Sequence, residues 1–190
     1  MLVRNPPAAS LAASVHDLLT EARERTLALI APLSEADLRE QHSTLMSPVL
    51  WDLGHIAHFE ELWLTQNLDG HVEFGEMPGL FNPFEHPRRV RGALPLPTLA
   101  GTIAHLSEVR ERVLERLERV TFDHASPLLR DGYVYRMVAQ HEYQHNETML
   151  QTMQLKRGEP YRAPRQWNVI EKTPDTAIAP GAMVRFPGAE

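Results

Sequence analysis

Cysteine is absent from the 190 residues. That absence excludes disulfides, thiolate metal sites and a cysteine nucleophile together. Long apolar runs are missing as well: none approaches the roughly 18 residues that a membrane-crossing helix needs. Positive charge is in deficit, with 19 Lys and Arg against 25 Asp and Glu and a net charge of -6. A uniformly basic surface for nucleic acid is therefore not expected. The opening residues Met1-Leu-Val-Arg-Asn-Pro-Pro7 lack the apolar segment of a secretory signal, so a cytoplasmic location is expected. Histidine, by contrast, is plentiful at ten residues. Any transition metal would have to be held by nitrogen or oxygen, and imidazole nitrogen is the ready donor.

The chain is long enough for one good hydrophobic core. Its composition, 43% hydrophobic and 23% charged, is that of an ordinary soluble domain. Four segments carry helical periodicity and strand-like alternation is weak. The first spans about 10–33, with Leu11, Val15, Leu18, Leu19, Ala22, Thr26, Leu29 and Ile30 on one stripe. Ser34-Glu-Ala-Asp37 then reads as a capping box opening a short turn. The second spans about 47–68, with Ser47 as N-cap and Pro48 at the first helical position. The third, about 98–121, carries Glu108/Arg112 and Glu111/Glu115/Arg119 at helical spacing, the mark of a solvated face. The fourth runs from about 131 to 156, with Gly158 as C-cap and Pro160 beyond it. Between the second and third, 69–97 holds four Gly and five Pro and reads as one long irregular loop. The expected fold is all-α: an antiparallel four-helix bundle over 1–158, followed by an irregular tail over 159–190.

The chemistry concentrates on the fourth helix, in His141-Glu142-Tyr143-Gln144-His145. Residues four apart stack on one helix face, so both imidazoles can reach one ion. The pair falls on the expected buried stripe with Tyr133, Met137, Val138, Thr148, Met149, Thr152 and Leu155. Polar rings on such a stripe cost free energy unless something satisfies them. On the second helix, His55 lies near the inward face beside Leu53, Ile56, Phe59 and Leu62, and facing helices of a bundle commonly share a metal. His58, one turn on, is a rival third ligand, and Glu60 and Glu61 offer oxygen. The same pentapeptide also fits the H-E-x-x-H pattern of zinc proteases, in which the glutamate is general base. That pattern needs a third ligand, usually downstream; no histidine follows His145, and Glu147, Glu159 and Glu171 stand in no recognisable motif.

Three segments carry a family resemblance. Ser47-Pro-Val-Leu-Trp-Asp-Leu-Gly-His55-Ile-Ala-His-Phe-Glu-Glu-Leu-Trp-Leu64 resembles the metal-site helix in the N-terminal DinB-like domain of ergothioneine-biosynthesis sulfoxide synthases. His141-Glu-Tyr-Gln-His145-Asn-Glu-Thr-Met-Leu-Gln151 is similar to the second metal segment of that family, and Phe84-Glu-His-Pro-Arg88-Arg-Val-Arg91 resembles its arginine-bearing loop. The resemblance implies a non-haem Fe(II) held by His55, His141 and His145, with His58 a neighbour. It implies carboxylate binding by Arg88 and Arg91 and a hydrogen bond from Gln144 to a substrate imidazole. It further implies the joining of gamma-glutamylcysteine to C2 of hercynine with O2 as oxidant. Three neutral imidazoles leave up to three positions on an octahedral ion for other ligands, and a guanidinium fork suits a carboxylate.

Members of that family continue into a C-terminal domain of the formylglycine-generating-enzyme (sulfatase-modifying-factor) type, which brings the catalytic tyrosine. Here Gly181-Ala-Met-Val-Arg-Phe-Pro-Gly-Ala-Glu190 resembles the opening strand of such a domain. The expected partner is therefore that missing catalytic domain, and the chain alone is not expected to be fully competent. Two alternatives share the histidines: a selenoneine synthase of the same architecture, and a stand-alone DinB-like metal-dependent thiol transferase.

Overall fold

The computed structural model describes residues 8–70 and 79–164. All regular structure among the described residues is helical. The first long helix, α1, is Ala8–Ile30. The short α2, Glu35–Arg39, opens with the expected capping box: the Asp37 amide donates to Ser34 Oγ at 3.1 Å and the Ser34 amide donates to Asp37 Oδ2 at 3.2 Å. Helix α3, Val49–Glu61, widens into one π turn over Leu62–Gln66 and ends as α4, Asn67–Asp69, at the left-handed Gly70. Helix α5, Leu99–Leu117, is capped by Thr98, whose hydroxyl accepts from the Gly101 amide. Helix α6 is Tyr133–Gln154. Between α4 and α5 the described loop contains a 3-10 segment over Arg88–Ala93.

Several helix ends differ from expectation, each for a local reason. Pro48, not Ser47, is the N-cap of α3, and no side chain caps it. The Ser47 hydroxyl instead accepts from Arg91 Nη1 at 2.7 Å. Helix α6 starts two residues late because Asp131 and Gly132 both adopt left-handed backbone, at φ 54 and 69. It also stops at Gln154 with Leu155 as C-cap, so Gly158 lies beyond the helix end. The strand expected near 181–190 falls outside the described residues.

Helix α1 packs on α6 and α5, and α3 packs on α5 and α6. The two histidine-bearing helices are thus direct neighbours. Trp51 and Leu53 of α3, Leu106 of α5, and Tyr135 and Met149 of α6 are among the fully buried side chains. The buried stripe of α6 differs from the expected one. It consists of Val134, Tyr135, Val138, Ala139, Glu142, Asn146, Met149, Thr152 and Met153, while Tyr133 and Leu155 are 55% and 47% exposed. The helix is rotated by about one residue, so Glu142 points into the core and the two histidines sit at its edge.

Glu142 is not alone there. Arg23 of α1 donates to Glu142 Oε1 at 2.8 Å and to Glu60 Oε2 of α3 at 2.9 Å. Arg110 of α5 donates to Glu60 Oε1 at 2.5 Å and to Glu142 Oε2 at 2.8 Å. The spare guanidinium nitrogens donate to the Leu106 and Leu19 carbonyls. Each long helix supplies one member of this neutral quartet. The two carboxylates hold the Arg110 guanidinium firmly protonated against its burial. Among the described residues, no helix is long and apolar enough to cross a membrane.

Candidate metal centre

His55 lies in the middle of α3, and His141 and His145 lie one turn apart on α6. One ring nitrogen from each falls within 4.8 Å of the others, the sole such group of potential ligands among the described residues. The ring centroids are 5.0, 5.0 and 4.6 Å apart. His58, Glu60 and Glu61 do not join this cluster. Glu60 is bound to both arginines of the quartet.

The surroundings of each ring differ. His55 Nδ1 lies 2.8 Å from the Phe81 carbonyl, an acceptor, so Nδ1 carries the proton and Nε2 keeps its lone pair. Gly54 makes that contact possible. A Cβ at this position would lie 2.2 Å from the Phe81 ring, so only glycine lets the loop approach α3 this closely. A mid-helix glycine costs about 1 kcal/mol relative to alanine, and here it places the carbonyl that orients His55. The His141 ring stacks on Phe59 with centroids 3.7 Å apart. His145 Nδ1 stands 3.5 Å from Asp52 Oδ1.

Burial dominates the electrostatics. It lowers His55 to about 4, reinforced by His145. It lowers His141 to about 2, with His145 and His55 adding to the effect. Both rings are neutral at neutral pH, which is the form that binds metal. Three converging imidazoles with little else to satisfy them suit a borderline divalent transition ion.

The glutamate of H-E-x-x-H is turned away. Both Glu142 oxygens accept hydrogen bonds, from Arg23, Thr26 and Arg110. A general-base role for it at the histidines is excluded by that saturation.

The remaining candidates separate by exposure. Arg88 is exposed, and its Nη1 reaches the Leu45 carbonyl at 3.4 Å. Gln144 is exposed and lines an open groove of about 370 Å3 with Phe59, Met137, His141 and Glu147. Arg91 is only 6% exposed. Its Nε donates to the His86 carbonyl, its Nη1 donates to Ser47, and its guanidinium lies 3.5 Å above the Trp51 ring. Trp51 also stacks on His55, at 4.9 Å and 15°. Asp52, Gly54 and the Phe81 carbonyl were given no role from sequence. Asp52 alone left a signal, since it stands three residues before His55 and shares its helix face.

Three imidazoles between two adjacent helices of an all-α domain form a group that could hold a metal ion. The particular family follows from comparison: the chain belongs to the DinB superfamily, which matches residues 18–149. It is also similar to proteins named hercynine oxygenase. The one from Mycolicibacterium thermoresistibile is 41% identical over 150 residues, covering 75% of this chain and 31% of that protein. Those from Mycolicibacterium smegmatis and Mycobacterium tuberculosis are 39% and 40% identical, over 77% and 76% of this chain and 33% of each relative. The chain spans about a third of the length of these curated relatives.

Proposed function

We propose that this chain is the Fe(II)-binding domain of a sulfoxide synthase of the hercynine oxygenase kind. His55, His141 and His145 are its ligands, gamma-glutamylcysteine and hercynine its substrates, and O2 its oxidant. The observation that carries the reading is the convergence of three imidazoles, with one ring nitrogen of each within 4.8 Å of the others. The similarity to proteins named hercynine oxygenase supports the substrate class. Bound Fe(II) would supply the one-electron chemistry with dioxygen that these side chains cannot.

The protein's own residues hold and orient. The Phe81 carbonyl fixes the His55 tautomer, and Trp51 and Phe59 stack on the rings of His55 and His141. Arg88, Arg91 and Gln144 are assigned to substrate. Arg88 and Gln144 are exposed to meet it, whereas Arg91 stiffens the loop beside Trp51. The four long helices are taken as an antiparallel four-helix bundle of DinB type over 1–158, with 159–190 leading toward a catalytic domain. The cytoplasm is its assigned location.

Anaerobic calorimetry with Fe(II) tests the reading. One ion per chain is expected, with binding lost in His55→Ala, His141→Ala and His145→Ala. A chain that takes up no Fe(II), or takes it up equally well without His55, overturns the assignment. Steady thiol conjugation to a small electrophile by the 190-residue chain alone would instead make it a thiol transferase.

A further inference from the structure

Two atoms at the histidine cluster are buried without a hydrogen-bond partner: His145 Nδ1 and Asp52 Oδ2. They belong to side chains that face each other, since His145 Nδ1 lies 3.5 Å from Asp52 Oδ1. That gap is roughly 0.5 Å longer than an ordinary N–H···O bond, within reach of a small side-chain rotation. Asp52 is only 1% exposed. A carboxylate so deeply buried is costly unless a cation or donor compensates it. Charged and titratable groups face it from three elements: Arg91 from the 3-10 loop, His55 on its own helix face, and His145 from α6.

We propose that Asp52 is a positioning residue, which accepts the Nδ1–H of His145 and so fixes the tautomer that leaves Nε2 free to bind a metal. The arrangement parallels His55, whose Nδ1 meets the Phe81 carbonyl. Two of the three rings are then oriented by an acceptor behind them, one a neutral carbonyl and one a carboxylate. His141 is held instead by stacking on Phe59. A carboxylate behind an imidazole raises its basicity and hence its strength as a ligand. Arg91, stacked on the adjacent Trp51, places a positive charge near Asp52.

The inference rests on the reading of the three histidines as one metal site, yet its tautomer claim is testable without metal. Long-range 1H–15N spectra of the labelled 190-residue chain at pH 7 should show His145 as the Nδ1–H tautomer. That preference should weaken in Asp52→Asn. Titration with Co(II), followed by its visible absorption, should be about tenfold weaker in Asp52→Asn and up to about a hundredfold weaker in Asp52→Ala. The Asn variant keeps the shape and carries the test if the Ala variant does not fold. An Nε2–H tautomer in the unaltered chain overturns the proposal, as does Co(II) affinity unchanged in Asp52→Asn. If the unaltered chain binds no Co(II) while His145 still changes tautomer in Asp52→Asn, the metal reading fails and the positioning role stands.

Discussion

Two polar clusters occupy the same helical core, and they are finished to different degrees. Arg23, Glu60, Arg110 and Glu142 form a closed set: both carboxylates accept from both guanidiniums, and backbone carbonyls take the spare donors. The histidine cluster is open. Its rings converge, but His145 Nδ1 and the facing Asp52 Oδ2 have no hydrogen-bond partner. Both clusters carry the desolvation penalty of buried polar groups. Only the first has already offset it within the protein. A satisfied polar cluster reads as scaffold, and an unsatisfied one reads as a place for something to bind. The neighbours Glu142 and His141 fall on opposite sides of that division, which is why the H-E-x-x-H pattern misleads here.

Breaking the quartet should produce the largest effect. Removing one carboxylate in Glu142→Ala strands a guanidinium and should cost about 3–5 kcal/mol in urea unfolding. Replacing all four members together by apolar residues of similar volume should cost far less, or even stabilise. If the single and fourfold variants lose the same stability, the quartet is not a closed unit.

Acid should separate the clusters next. The buried arginines hold Glu142 below the usual carboxylate range, whereas His55 is depressed to about 4. The unfolded chain takes up the histidine proton first, near its ordinary pKa of 6.5. Stability carried by neutral His55 is therefore complete above about pH 6.5 and lost as pH falls toward 4, a loss of about 3 kcal/mol. Unfolding midpoints at pH 7, 5.5 and 4.5 check this. A flat profile over that window would place His55 in water.

Metal should then close the open cluster. Fe(II) at a hundred times its dissociation constant should add about 2.7 kcal/mol to stability. That gain should vanish in His141→Ala and persist in Glu142→Gln, read by anaerobic thermal melts. The smallest change expected is in Gly54→Ala, which drives a methyl into the Phe81 ring. Overpacking there should cost about 1–3 kcal/mol, and loss of the Phe81 carbonyl from His55 should weaken metal binding while the quartet is untouched.

Much of the scaffold was legible because it is written in local periodicity. The Ser34 capping box lies where expected, and the α1 stripe is buried through Leu11, Val15, Leu19, Ala22, Thr26, Leu29 and Ile30. Local spacing also brought out the His141/His145 pair. It could not reveal what depends on distant partners. Arg110 stands among the solvated Glu and Arg of α5, and only α1, α3 and α6 make it a buried residue. Arg91 looks like loop charge until Trp51 and Ser47 come under it. Asp52 acquires meaning only when α6 brings His145 to it.

The quartet also bears on how the chain assembles. With α1 undocked, two buried carboxylates face a single guanidinium; with α3 undocked, two guanidiniums face a single carboxylate. Every three-helix intermediate therefore carries a net unit charge in its interior, and only the complete set is neutral. Partly docked states are penalised as a group, which favours all-or-none assembly. The partners are separated by 32 to 119 residues along the chain. That cooperativity is bought with long-range closure, and contacts of such high order slow folding.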